Sequence, residues 1–212
     1  MLSACGLLVV GGTAATSAVV ATDRRTAGEQ LDDQTIELRL GNETANAFGD
    51  KARVLGTAYA GRLLLLGDVP TAADRAQVET IARSIPKVTH VDNHIRVGEI
   101  TTLSVRTNDT WLTSKVKAQL VRTKEVPSRT IKITTERGVV YLMGKVTEDE
   151  GQRAAIVASS VEGVNKVVKL FQIVSRASIE ASSEAAPATD APAPSAPAAP
   201  TESEGVQAMP VK

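Results

Sequence analysis

The feature that most constrains the fold of this chain is an internal repeat. Residues 63–69 read LLLLGDV and residues 140–146 read VYLMGKV, so that Gly67 and Gly144 lie 77 positions apart. The segments on either side keep an offset of 76, as between Val88 and Val164 or between Asp33 and Asp109. Self-similarity at a fixed offset indicates duplication of a structural unit. The sequence therefore predicts two copies of one small domain, with the one-residue difference absorbed in a loop near Pro70.

Each copy predicts the same order of helices and strands. In the second copy we expect Asn108 or Asp109 to cap a helix, whose apolar positions recur every four residues at Leu112, Val116 and Leu120. The segments that follow are predicted as a strand through Ile131 and Ile133, a turn at Arg137-Gly138, a strand over 139–146, a helix opened by a Thr147–Glu150 capping box, and a strand over 164–174. The fold class is therefore α+β, with two tandem αββαβ domains, each a three-stranded mixed sheet covered by two helices.

These patterns divide the chain into four parts. Residues 1–32 are expected to hold an address signal and a flexible tether, residues 33–98 the first domain, and residues 108–176 the second domain. Residues 177–212 are rich in Ala, Pro, Ser and Glu, a composition that cannot bury a core and predicts a disordered tail. The second domain has twelve basic and seven acidic residues, a net charge of +5, whereas the tail has one basic and five acidic. This asymmetry bears on binding partners rather than on the fold.

The single cysteine, Cys5, follows Leu2-Ser3-Ala4, a pattern that resembles the lipobox of bacterial lipoproteins. In that pathway the cysteine is acylated, and two or more acyl chains give stable membrane anchoring. Gly6 follows where an aspartate would resemble an inner-membrane retention signal, which favours the outer membrane. Only four residues precede Cys5, too few for a signal peptide, so this prediction requires a start upstream of Met1. The alternatives are a membrane helix over the uncharged residues 1–22, or a chance match.

The repeated pattern resembles a known family. An apolar run that ends in Gly, then Val, a capped helix and a closing Val-x-x-Val strand is similar to the BON domain, most distinctively over residues 108–116. Two such units behind a lipobox resemble the dual-BON outer-membrane lipoproteins, over about residues 23–176 of this chain. The resemblance implies a lipid-anchored protein on the periplasmic face of the outer membrane. It also implies binding to anionic phospholipid of the phosphatidylglycerol type and a role in envelope integrity, with division sites as one place of action.

Candidate binding residues lie on the first predicted helix of the second copy. Trp111, Lys115, Ala118 and Arg122 share one face beside the core stripe. Tryptophan favours the headgroup level of a bilayer, and each basic side chain beside it contributes about 1 kcal/mol near an anionic surface. With the neighbours from the motif that carries the family resemblance, the predicted lipid-binding set is Thr110, Trp111, Leu112, Ser114, Lys115, Ala118 and Arg122.

Two alternatives to lipid binding stay open at this point. Trp111 could pack against its own sheet or the other domain. The domains could also form a periplasmic scaffold that binds envelope or division proteins rather than lipid. The first copy has Thr35 and Arg39 at the positions of Trp111 and Lys115, and Ile85-Pro86-Lys87 where the second has Glu162-Gly163, which weakens the case for a ligand there.

The sequence predicts no catalytic site, cofactor or metal. His90 and His94 fall on one predicted strand, where four residues span about 13 Å, too far for both to bind one ion. A lone cysteine excludes an internal disulfide. Aromatic residues make up only 2% of the chain, which argues against nucleic-acid binding, as does a location outside the cytoplasm. The oligomeric state is left open.

Overall fold

The computed structural model describes residues 23–184 and shows the αββαβ order twice. The elements of the first unit are α1 (Ala27–Phe48), β1 (Arg53–Tyr59), β2 (Arg62–Val69), α2 (Ala72–Ser84), β3 (His90–Asn93) and β4 (Arg96–Val97), with a short 3₁₀ turn at Gly49–Lys51 after α1. Strand β2 pairs with β1 in antiparallel fashion and with β3 and β4 in parallel. Strands β3 and β4 together occupy one edge of the sheet, interrupted where the Asn93 side chain accepts a hydrogen bond of 3.1 Å from the Ile95 N–H.

The second unit repeats this arrangement. Its elements are α3 (Leu103–Arg122), β5 (Lys132–Glu136), β6 (Val139–Val146), α4 (Glu148–Ser159) and β7 (Lys166–Ile173). Strand β6 lies in the middle of the sheet, antiparallel to β5 and parallel to β7. The predicted mixed sheet and the capping box of Thr147 and Glu150 are both confirmed.

The two long helices begin earlier than predicted. Helix α1 starts at Ala27, where Thr26 and Glu29 form a capping box, so the last residues of the expected tether are helical. Helix α3 starts at Leu103 rather than after Asn108 or Asp109, so residues 103–107, which lie between the two expected domains, are helical. The start of α3 was wrong because a buried carboxylate was interpreted as a helix cap when it serves the neighbouring hairpin, and the first unit has the same arrangement.

That carboxylate belongs to Asp33 in the first unit and to Asp109 in the second. Asp109 accepts hydrogen bonds from the backbone N–H groups of Arg137 (2.7 Å) and Gly138 (2.8 Å), at the tip of the β5–β6 hairpin. Both tip residues have positive φ angles, 52° and 74°, and such a tight turn leaves two N–H groups without a sheet partner. Asp33 makes the equivalent bonds to Ala60 and Gly61.

Each unit has its own core between its helices and one face of its sheet. Ile36 and Leu40 of α1 pack with Leu63, Leu65 and Val78 in the first unit. The second core is built the same way, from Val116 and Leu120 of α3 with Val140, Leu142 and Ala154. These side chains are aliphatic, as the low aromatic content requires.

The opposite faces of the two sheets pack against each other and join the units. Tyr59, Leu64 and Leu66 of the first sheet meet Tyr141, Met143 and Leu170 of the second in one buried cluster. His94 adds an edge-to-face contact with the Tyr141 ring at 5.0 Å between centroids. Polar pairs border this cluster, among them Arg53–Glu136, Lys132–Glu37 (2.6 Å) and Thr57–Thr134 (3.2 Å). Helices therefore form the two outer layers and the sheets the two inner layers.

The segment that precedes each unit's first helix is held by the other unit. Arg24 makes two hydrogen bonds to Glu150 of the second unit, at 2.7 and 2.9 Å, and one to the Lys145 carbonyl at 2.9 Å. In the reciprocal contact, Asp68 of the first unit accepts from the Thr101 N–H at 2.8 Å, just before α3. This contact lowers the pKa of Asp68 even though burial opposes the charged form. We call residues 23–26 the N-terminal strap.

The prediction that residues 177–212 are disordered is wrong for the first residues of that segment. A helix, α5 (Arg176–Glu184), follows β7, with the Ser175 hydroxyl accepting from the Ser178 N–H at 3.1 Å. The remainder of that tail, and Cys5 with the predicted lipobox, lie outside the described residues.

Candidate functional site

The predicted binding helix presents its tryptophan to solvent. The Trp111 side chain lies on the outer face of α3 and is 64% exposed. It does not pack on its own sheet or on the other unit, so that alternative is wrong. Leu103 and Val121 of the same helix are also exposed, at 69% and 61%, but Trp111 is the largest apolar side chain that the helix leaves in water.

The other predicted residues separate into surface and core. Ala118 and Arg122 are exposed and lie on the same face as Trp111, about two and three turns further along the helix. Leu112 points the other way and is only 2% exposed, so it belongs to the core and is not offered on the surface. The structure thus brings Trp111, Lys115, Ala118 and Arg122 together and separates Leu112 from them.

Two hydroxyls on this face are satisfied within the helix. Thr110 donates to the Arg106 carbonyl at 3.0 Å, and Ser114 donates to the Thr110 carbonyl at 3.1 Å. The free-energy cost of removing water from such hydroxyls is lower, because each O–H group keeps its hydrogen bond to a carbonyl of the preceding turn. This face can therefore leave water without leaving those donors unpaired.

The lysines of α3 differ in direction. Lys115 is partly exposed and its ammonium donates to the Glu162 carbonyl at 2.7 Å, in the loop between α4 and β7. Lys117 turns toward the β5 side, where its ammonium donates to the carbonyls of Ser128 and Ile131. Burial lowers the pKa of Lys117. Lys115 therefore supplies charge beside Trp111, and Lys117 does not.

A polar cleft that the sequence did not predict lies beside the N-terminal half of α3. It is bordered by the helix, the β5–β6 hairpin tip and the loop before β7, through residues Ser104, Val105, Asn108, Asp109, Arg137, Gly138, Gly163 and Asn165. We call it the hairpin cleft. The repeat contains one signal for this cleft, because the second copy has Arg137 at the position of Ala60 in the first. The three segments that border the cleft are distant in sequence and come together only in the folded structure.

The equivalent helix of the first unit has a different outer face. Thr35 takes the place of Trp111, and Leu31 and Leu38 beside it are 65% and 69% exposed. The Asp32 carboxylate lies 3.8 Å from the Lys87 ammonium. Lys87 belongs to the loop between α2 and β3, which corresponds to the loop at the rim of the hairpin cleft. The two units therefore share a fold but not a surface.

The two histidines have structural contacts. His90 lies 3.3 Å from the Asp92 carboxylate on β3, while His94 lies just past that strand, against Tyr141. Within residues 23–184 no cluster of three or more His, Cys, Asp or Glu side chains has the arrangement of a metal site. In the same range no helix combines the length and apolar character needed to cross a bilayer.

Comparison with known proteins identifies the repeated unit. The BON domain family model matches residues 32–99 and again residues 108–175. The outer membrane lipoprotein DolP of Haemophilus influenzae is 36% identical over 173 residues, which cover 81% of this chain and 89% of that protein. A 21 kDa hemolysin of Actinobacillus pleuropneumoniae is 36% identical over 154 residues, 72% of this chain and 79% of the relative.

Among solved structures, the C-terminal domain of CdsD, a type III secretion structural protein of Chlamydia trachomatis, aligns with 65% of this chain and 96% of its own length. Its identity is 12% and its TM-score is 0.28, too low to indicate a common arrangement of the units. The sequence matches, in contrast, cover both repeats and most of the length of the relatives. This chain belongs to the BON-domain family and carries two BON domains, one in each αββαβ unit.

Proposed function

We propose that this chain is a non-enzymatic lipoprotein that binds anionic phospholipid through the exposed face of α3. Acylated Cys5 would anchor it to the periplasmic face of the outer membrane, where it supports envelope integrity, with the division site as one place of action. The lipobox-like sequence and the similarity to a protein named outer membrane lipoprotein DolP support the location.

The observation that carries the lipid assignment is the exposure of Trp111, 64%, on a helix face that also holds Lys115 and Arg122. A tryptophan ring gains from burial at the headgroup level of a bilayer, where its N–H still reaches water. Basic side chains on the same face would then meet lipid phosphates. The surrounding domain has a net charge of +5, from twelve basic and seven acidic residues, which favours an anionic surface over a neutral one.

The test uses the fluorescence of the full chain carrying Cys5→Ser. Because Trp111 is the only tryptophan, its emission reports on this helix alone, even if the N-terminal residues also touch the vesicle. Phosphatidylglycerol vesicles should shift the emission to shorter wavelength, phosphatidylcholine vesicles should not, and salt should reverse the shift by screening.

A matched pair of variants checks the contribution of charge. Arg122→Gln removes a cation from the α3 face, while Arg75→Gln removes one from the surface of α2 in the first unit. Only Arg122→Gln should weaken binding, by about fivefold for the loss of one charge near the surface. An absent shift with both lipids would contradict the proposal and favour a scaffold that binds envelope proteins through Trp111.

A further inference from the structure

The hairpin cleft combines a cation without a carboxylate partner and several neutral polar groups. Arg137 is exposed, and its guanidinium makes one hydrogen bond, of 3.2 Å, to the Thr101 hydroxyl. Within residues 23–184 it forms no ion pair, whereas most of the arginines of the first unit are paired with carboxylates. The amides of Asn108 and Asn165 and the hydroxyl of Ser104 border the same cleft. Such a set suits a phosphate that carries further hydroxyl groups.

The carboxylate at the floor of the cleft is already engaged. Asp109 is only 4% exposed, and its two oxygens accept from the N–H groups of Arg137 and Gly138. Its charge is thus turned toward the hairpin backbone and away from an incoming ligand.

Arg137 has an unfavourable backbone conformation for its residue type. Its φ angle is 52°, in the left-handed region that Asn and Gly adopt more readily than arginine. The corresponding Ala60 of the first unit has the same conformation, with a φ angle of 48°, and no charge. The hairpin therefore does not need an arginine at its tip, and its backbone conformation does not account for the charged side chain there.

The first unit provides an internal comparison. The positions of Asn108, Arg137 and Asn165 are taken there by Asp32, Ala60 and Thr89. Asp32 brings a carboxylate, which lies 3.8 Å from the Lys87 ammonium across the equivalent space. The corresponding place in the first unit therefore has one more carboxylate than the hairpin cleft and no arginine, which favours the second unit as the place where an anion binds.

The cleft adjoins the Trp111 face. Asn108 precedes Trp111 by one helical turn, and the Lys115 ammonium reaches the Glu162 carbonyl, next to Gly163 on the cleft rim. We infer that the hairpin cleft binds the glycerol-phosphate headgroup of an anionic phospholipid, with Arg137 on the phosphate and the amides of Asn108 and Asn165 on the glycerol hydroxyls. This inference rests on the proposed lipid binding by α3 and names the group that is recognised.

Two variants of the full Cys5→Ser chain test the cleft with phosphatidylglycerol vesicles. Arg137→Asn removes the charge and keeps a residue suited to positive φ, and Asn165→Asp adds a carboxylate at the rim. Each should weaken binding by about fivefold or more. Arg129→Asn, an exposed site in the loop between α3 and β5, makes the same charge change elsewhere in the domain and should leave affinity nearly unchanged. Circular dichroism of each variant verifies the fold.

The outcomes separate this inference from the proposed function. If the parent chain shows no Trp111 shift with phosphatidylglycerol, the lipid proposal itself fails. If the parent binds while both cleft variants behave like Arg129→Asn, lipid binding stands and the headgroup assignment is overturned.

A second measurement distinguishes a headgroup from free phosphate. In ¹H–¹⁵N spectra of the full Cys5→Ser chain, glycerol 3-phosphate should shift the backbone amides of Gly138, Gly163 and Asn165, and inorganic phosphate should shift them much less. Equal shifts with both would overturn the headgroup assignment in favour of a general phosphate site. An absence of shifts with glycerol 3-phosphate would also overturn it.

Discussion

The carboxylate of Asp109, buried in the middle of helix α3, accepts a hydrogen bond of 2.8 Å from the backbone N–H of Gly138 at the tip of the β5–β6 hairpin. One side chain thus ties the helix that carries Trp111 to the turn that carries Arg137. The same link between Asp33 and Gly61, at 3.0 Å, occurs in the first unit. The relative position of helix and hairpin is therefore set by one hydrogen-bonded carboxylate in each domain.

Replacement of Asp33 by Asn should destabilise the protein while the same change at Asp32 should not. An amide offers one acceptor atom where the carboxylate offered two, so one hairpin N–H loses its buried partner, and the ion pair of Asp33 with Arg25 at 2.9 Å is lost as well. The loss of the hairpin bond alone costs about 1–3 kcal/mol. The Asp32 side chain is half-exposed and pairs only with Lys87 at 3.8 Å, so Asp32→Asn should stay within about 0.5 kcal/mol of the parent. Urea unfolding measures both. Equal losses of unfolding free energy in the two variants would contradict a stabilising role for the contact between Asp33 and the hairpin.

Neighbouring substitutions on α3 should separate binding from stability. Leu112→Ala removes a side chain that is 2% exposed and should cost about 2–5 kcal/mol of unfolding free energy. Trp111→Ala removes one that is 64% exposed and should leave the unfolding midpoint nearly unchanged. In vesicle sedimentation, Trp111→Ala should bind phosphatidylglycerol more weakly than the parent. A large loss of stability in Trp111→Ala would mean that the ring packs on the protein in solution.

Replacement of two different glycines by alanine should change the stability of the protein in opposite directions. At Gly67, where φ is 116°, a Cβ atom would lie 1.8 Å from the Arg53 carbonyl oxygen, so the β1–β2 pair must separate. We expect Gly67→Ala to cost more than about 3 kcal/mol or to prevent folding. At Gly41, inside α1, a Cβ would meet nothing within 4 Å, and Gly41→Ala should stabilise by about 0.5–1 kcal/mol. Thermal unfolding of the two variants checks both signs.

The sequence predicted the fold because the signals that define it are local. The repeated apolar run that ends at Gly67 and Gly144 indicated the central strand of each sheet, and Thr147 with Glu150 marked the start of α4. The start of α3 was wrong because an aspartate before a helical pattern is typical of an N-cap, and only the three-dimensional contact shows that Asp109 serves the hairpin 28 residues later.

The candidate site was predicted in part. Helical spacing grouped Trp111 with Lys115 and Arg122, since residues on one helix are related by a fixed rotation. The hairpin cleft escaped prediction because Asn108, Arg137 and Asn165 lie on three segments, brought together by sheet pairing and by the Asp109 contact. The packing of the two sheets against each other could not be predicted either. The sequence of each sheet indicates a second apolar face that must be buried, but it does not indicate what buries it.

The N-terminal strap should make stability depend on pH through Glu150. The hydrogen bonds from Arg24 lower the pKa of Glu150, so their contribution is present above the ordinary glutamate range and is lost as pH falls through the lowered value. Glu150→Gln keeps the capping box with Thr147 but removes the charge, and should cost about 1 kcal/mol at pH 7.

The difference between the parent and Glu150→Gln should be present at pH 7 and should close at an acid pH below the lowered pKa of Glu150, because the parent then also loses the charge. Glu148→Gln, two residues earlier and exposed, is the matched control and should show a smaller difference at pH 7. Urea unfolding at the two pH values measures the effect. If the free energy of unfolding differs between the parent and Glu150→Gln by the same amount at both pH values, the strap does not stabilise the protein through this charge.

The strap also fixes where the first described residues of the chain lie. Arg24 is bound at the C-terminal end of β6, at the Lys145 carbonyl, while Gly138 and the hairpin cleft lie beyond its N-terminal end. Eight residues of strand separate the two ends, about 25 Å. The N-terminal end of the described residues therefore lies against the second domain, although it precedes the first in sequence. Under the proposed function, the membrane anchor and the lipid contact would therefore act at opposite ends of one strand, so that the second domain alone would carry both attachments.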